Sequence, residues 1–115
     1  FAGYDRDAEQ GRIYKYDVTG GRYEEREFYA TGSGGKEARS TLRKQFRDGL
    51  SRTDGMALAL EALVDAADID VGTSGPDLAR GIYPLVKIIT NGGTEDVDDD
   101  ELAAVSGRLL SVVKG

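Results

Sequence analysis

The sequence predicts an α+β fold, with an antiparallel sheet layered against helices. Three observations lead there. Two turn signals of the hairpin kind, Thr19-Gly20-Gly21 and Asn91-Gly92, each lie between β-prone runs. Apolar residues recur at helical spacing in three further stretches. The resulting order, β-β-α-α-β-β-α, alternates hairpins with helices instead of repeating a strand–helix–strand unit.

The segment 11–17, with Ile13, Tyr14, Lys15 and Tyr16, is rich in β-prone residues and predicts a strand that turns at Thr19-Gly20-Gly21. A partner strand is expected over 22–30, its charges marking an edge or a wet face. A glycine-rich turn, Thr31-Gly32-Ser33-Gly34-Gly35, then leads into a helix expected over 36–46, with Ala38, Leu42 and Phe46 on one stripe. Thr53 is placed to cap a stronger helix over 54–67, whose stripe is Met56, Leu60, Leu63, Val64 and Ala67. After a loop over 68–77, the segment 81–90 is apolar on both faces except at Lys87 and predicts a central, doubly covered strand. Asn91-Gly92 suits a type I′ turn into a short strand over 94–97. A last helix is expected over 99–113, with Leu102, Val105, Leu109 and Val112 buried and the acidic run 98–101 at its positive end. The last helix is expected on the sheet layer opposite the first two. The strands leave apolar faces with too few partners in 115 residues. The opening Phe1-Ala2-Gly3 reads as the end of a strand begun upstream, or equally as an arbitrary boundary of an expressed piece.

Composition narrows the chemistry. There is no cysteine and no histidine, which excludes a disulfide framework, a Cys/His zinc site, a cysteine nucleophile and any histidine-based triad. Catalysis would have to use hydroxyls, carboxylates, amines and backbone amides. A net charge of −6, with no basic stripe interleaved with the tyrosines, argues against nucleic acid as a partner. No apolar run approaches the roughly 20 residues that span a bilayer, so a membrane partner is not expected.

Three motifs carry possible chemistry. Gly32-Ser33-Gly34-Gly35-Lys36 resembles a phosphate loop only superficially, because Ala30 stands where the first glycine is needed and Glu37 follows Lys36. It reads either as a turn that displays Ser33 beside a helix N-terminus or as a plain turn. The acidic run from Asp96 fails the calcium-loop pattern, with Glu101 at the sixth position and Gly107 at the twelfth. Asp65, Asp68 and Asp70 crowd a helix C-terminus, where they oppose the dipole; that is either a weak pointer to function or a matter of simple pairing with Arg80 and Lys87.

Taken in order, Gly3-Tyr4-Asp5, Gly11-Arg12-Ile13, the run Tyr16-Asp17-Val18-Thr19-Gly20-Gly21-Arg22-Tyr23 and Gly32-Ser33-Gly34 resemble the second half of proteasome β subunits. Asp65-Ala66-Ala67-Asp68-Ile69-Asp70, Thr73-Ser74-Gly75-Pro76-Asp77-Leu78 and Arg80-Gly81-Ile82-Tyr83-Pro84 are similar to the actinobacterial branch. The resemblance runs over essentially the whole chain and is weakest at 47–53. It implies that residues 1–115 are the C-terminal half of one αββα four-layer sandwich of the N-terminal-nucleophile hydrolase kind. It also implies part of a threonine endopeptidase subunit whose nucleophile, a terminal Thr with its own amine as base, lies outside the chain. Ser33, Asp70 and Thr73 match the family positions that hydrogen-bond around that terminus and set its protonation. They should then converge at one end of the sheet. Asp17 matches a strand position that helps line a neighbouring subunit's substrate pocket. The implied partners are the missing N-terminal half, other β subunits and α subunits of a ring, and unfolded polypeptide substrates. The implied setting is cytoplasmic, with no cofactor and no metal.

Thr73-Ser74-Gly75 departs from the usual Ser/Thr-Gly-Gly. A related two-component bacterial peptidase shares the Gly-Ser-Gly-Gly turn, but the last helix and the Pro-Asp-Leu stretch favour the proteasome. A non-catalytic ring component, α-like or an isolated fragment, is the alternative.

Overall fold

The computed structural model describes residues 1–69 and 77–114; at 68–69 and 110–114 it describes the course of the backbone alone. Strands β1 (Ala2–Asp5), β2 (Gln10–Tyr16) and β3 (Arg22–Glu25) form an antiparallel sheet in the order β1-β2-β3. Helices α1 (Gly35–Gln45) and α2 (Arg52–Ile69) follow. A 3-10 turn (Leu78–Arg80) leads to the hairpin β4 (Lys87–Thr90) and β5 (Gly93–Asp96), and α3 (Asp99–Lys114) closes the chain. The architecture is α+β with antiparallel pairing throughout the described residues.

The first hairpin forms as expected. Tyr16 pairs with Arg22, and the Asp17 carboxylate holds the turn by accepting from the Thr19 hydroxyl at 2.6 Å and from the amides of Gly21 and Thr19 at 2.8 and 3.0 Å. Gly20 turns the chain at φ +90°, where a side chain would be strained. Ordered pairing stops at Glu25, five residues short of the expected end. The opening residues do belong to a strand: Phe1 and Tyr14 exchange backbone hydrogen bonds of 3.0 and 2.8 Å ahead of the β1–β2 ladder. One face of this sheet is wet, with Arg12 reaching Asp5 at 2.8 Å and Glu24 at 2.6 Å across all three strands.

Helix α2 is the centre of the molecule. Met56 and Leu60 on one side meet Val97, Leu102 and Val105, while Ala62 and Ala66 on the other meet Ala38 of α1. A helix buried on two sides must be apolar nearly all round, which explains why Leu58 is buried too. Leu63, expected in the buried stripe, is 41% exposed. The cap is Ser51, whose hydroxyl accepts from the Asp54 amide at 3.1 Å, so the helix starts before Thr53. Helix α3 packs on α2 in the same core, which corrects its expected place on the opposite layer.

The expected central strand over 81–90 shortens to Lys87–Thr90. Pro84 has no amide hydrogen to give a ladder. Before it, Ile82 meets Asp77 in an isolated bridge. Ile82 and Leu85 are exposed, whereas Val86 and Ile88 pack against the α2–α3 core. The Asn91-Gly92 hairpin is present, but the positive φ falls on Gly93 at +115°, so the turn is not type I′.

Candidate functional site

Three glycines make the turn that carries Ser33. Gly32 adopts φ +97°, its carbonyl accepts from the Gly35 amide at 3.1 Å, and the Gly34 carbonyl accepts from the Ala38 amide at 3.1 Å to open α1. Gly34 and Gly35 are buried and Ser33 is exposed. The turn therefore sets Gly34 and Gly35 into the fold and leaves Ser33 at the surface.

Helix packing decides what lies beside it. Ala38, near the start of α1, packs against Ala62 and Ala66, near the end of α2. Alanine at these positions lets the two helices approach closely. Thr41 of α1 adds a 2.7 Å hydrogen bond to the Asp65 carboxylate of α2. At the other end of the pair Arg47, just past α1, lies 3.9 Å from Asp54 near the start of α2, so the two helices run antiparallel and the chain leaves α2 beside the end of α1 at which the Ser33 turn sits.

Ser33 stands at the rim of a cleft of about 880 Å³, with Phe28, Leu42, Leu58, Ala66 and Tyr83 among the residues lining it. Its walls combine apolar side chains of α1 and α2 with the segments 27–34 and 82–84, and the rings of Phe28 and Phe46 meet tilted at 54° with their centres 5.6 Å apart.

Of the four site residues expected from the sequence, Ser33 lies on this cleft, while Asp70 and Thr73 lie outside the described residues. Asp17 is held in the first hairpin turn. Its carboxyl sits below the ordinary value of 3.8, chiefly through the Thr19 hydroxyl and next through the Gly21 amide, both of which favour the charged form. Among the described residues no group of His, Cys, Asp and Glu could hold a metal, and no helix is long and apolar enough to cross a membrane.

Sequence reasoning passed over Arg39, which lies off the apolar stripe of α1. Its Nη1 donates to the Ala30 carbonyl at 2.5 Å, and its guanidinium lies 5.4 Å from the Tyr29 ring centre. The available signal was its position four residues after Gly35, because long helical side chains run back over the preceding turn.

The family model for the proteasome subunit matches residues 1–78 of this chain. The chain belongs to the proteasome subunit family. It is similar to the proteasome subunit beta of Streptomyces griseus, 47% identical over 110 residues, which cover 96% of this chain and 39% of that protein. It is likewise similar to the proteasome subunit beta of Acidimicrobium ferrooxidans, 45% identical over 114 residues, covering 99% of this chain and 42% of that protein. The chain thus spans about two-fifths of the length of the curated relatives it matches. The proteasome family has the N-terminal-nucleophile hydrolase fold, and the α+β arrangement of antiparallel strands and packed helices is consistent with it.

Proposed function

We propose that residues 1–115 form the C-terminal half of a proteasome β-type domain. In that reading they supply supporting residues to a threonine endopeptidase whose nucleophile lies in another part of the protein. The observation that carries the reading is that the end of α2 packs on the start of α1, into which the Ser33 turn leads, with Ala66 and Ser33 lining one cleft. The segment holding Asp70 and Thr73 follows α2 directly, so the packing of Ala66 on Ala38 supports their convergence with Ser33.

The chemistry follows from the residue types. A terminal threonine hydroxyl attacks the peptide carbonyl, and the terminal amine of the same residue takes its proton. That amine must be neutral to act as a base, and nearby hydroxyls and a carboxylate govern its protonation. Ser33, Asp70 and Thr73 take this role, with no cofactor and no metal. Asp17 contributes to a neighbouring subunit's substrate pocket while holding its own hairpin turn.

The same reading accounts for the apolar cleft, whose walls the N-terminal half of the subunit covers. The remaining partners are β and α subunits in a ring within the core particle, and the substrates are unfolded polypeptides in the cytoplasm.

Replacing Ser33 by Ala in the full-length subunit, assembled into its particle, tests this. A loss of at least tenfold in kcat on a fluorogenic peptide is expected, with a displaced pH profile. Wild-type kcat and an unmoved profile would remove Ser33 from the site.

A further inference from the structure

We infer that Arg39 is a positioning residue for Ser33, an inference that rests on the role given to Ser33 above. The turn that carries Ser33 has glycine at 32, 34 and 35, so its own sequence imposes little on the direction of the serine. The constraint comes from α1. Arg39 reaches back along the helix, and its Nη1 donates a charge-assisted hydrogen bond of 2.5 Å to the Ala30 carbonyl, three residues before Ser33.

Its guanidinium also rests on the Tyr29 ring, 5.4 Å from the centroid, and the Lys15 ammonium of β2 lies 5.2 Å from the same centroid. Tyr29 is thereby tied to both the helix and the sheet, and Ala30 to the helix. On the far side of the serine, the Gly35 amide closes on the Gly32 carbonyl at 3.1 Å. The segment bearing Ser33 is thus pinned at both ends.

Gly35 completes the device. A Cβ there would come within 3.1 Å of Arg39 Nη1 and 3.3 Å of the Ala30 oxygen. Only glycine leaves the guanidinium room to reach that carbonyl without a shift.

The test uses the full-length subunit in its assembled particle, with variants Arg39→Met, Arg39→Lys, Gly35→Ala and Ser33→Ala. Arg39→Met keeps the aliphatic stem but loses the donor. It is expected to lower kcat about tenfold, to leave KM within about twofold and to shift the pH profile in the same direction as Ser33→Ala. Arg39→Lys retains a donor and should recover part of kcat, and Gly35→Ala should resemble a milder Arg39→Met. Assembled Arg39→Met particles with wild-type kcat and pH profile would overturn the inference while leaving Ser33 in place, provided Ser33→Ala is impaired. A fully active Ser33→Ala would instead overturn the reading of Ser33, and this inference with it. Failure of both Arg39→Met and Arg39→Lys to assemble would make Arg39 a folding residue and also overturn it.

Discussion

Arg52 and Glu101 meet through two hydrogen bonds, Nε to Oε2 at 3.0 Å and Nη2 to Oε1 at 2.9 Å, which join the first turn of α2 to the first turn of α3. Glu95 of β5 reaches the same guanidinium, so one cation ties two helices and a hairpin together. The cation sits at the positive end of α2, a placement that the two carboxylates offset. Replacing Arg52 by Ala in the full-length subunit is expected to lower Tm by a few degrees at low salt, and by less at high salt, because the groups are partly exposed and screened. Equal losses at both salt concentrations would show that the cluster acts through packing instead.

Gly32 gives a sharper effect. Its φ of +97° lies where an L side chain is strained, so Gly32→Ala should destabilise the subunit by about 1–2 kcal/mol. Denaturant unfolding checks this, and an unchanged midpoint would show that the turn has a second accessible conformation.

Ser106 runs the other way. It is 1% exposed in α3, and its hydroxyl has no hydrogen-bond partner among the described residues. An unsatisfied buried hydroxyl carries a desolvation penalty, and alanine is also the better helix former. Ser106→Ala should therefore raise stability by about 1 kcal/mol, seen as a higher denaturant midpoint with an unchanged slope. A loss of stability would mean that the hydroxyl meets a partner outside the described residues.

Acid should weaken the fold through identifiable carboxylates. Asp17 is lowered chiefly by the Thr19 hydroxyl, Asp5 chiefly by the Ala8 amide and then by Arg12, and Glu101 chiefly by Arg52. A depressed folded-state value contributes stability that is present above the ordinary carboxylate range and lost as pH falls through the folded value. The denaturant midpoint should thus hold steady from pH 7 to about 5 and fall below about 4. Asp17→Asn should flatten part of that fall, and an unaltered acid slope would exclude Asp17 as a contributor.

Much of this was legible in the sequence, for local reasons. The run from Gly35 to Gln45 declares itself through its stripe and the glycines before it, and the Thr19-Gly20-Gly21 hairpin through its turn chemistry. Helix α2 lies within two residues of its expected span at each end, and Ala62 and Ala66, good helix-formers small enough for close helix packing, bury against Ala38. The strand expected over 81–90 shows the opposite error. Apolar character there was read as pairing, but Pro84 cannot donate to a ladder, and Ile82 and Leu85 face outward in this chain. At the cleft, the glycine spacing marks the turn that carries Ser33, whereas the reach of Arg39 to the Ala30 carbonyl depends on the direction of a side chain along its helix.

In the proposed function these 115 residues support a nucleophile they do not contain. The direct measurement is hydrolysis of a fluorogenic peptide by the isolated chain, and then by the chain mixed with a first-half fragment bearing a terminal Thr. No turnover is expected from the chain alone, and turnover in the mixture should be abolished by a threonine-directed covalent inhibitor. Turnover by the chain alone, resistant to that inhibitor, would contradict it.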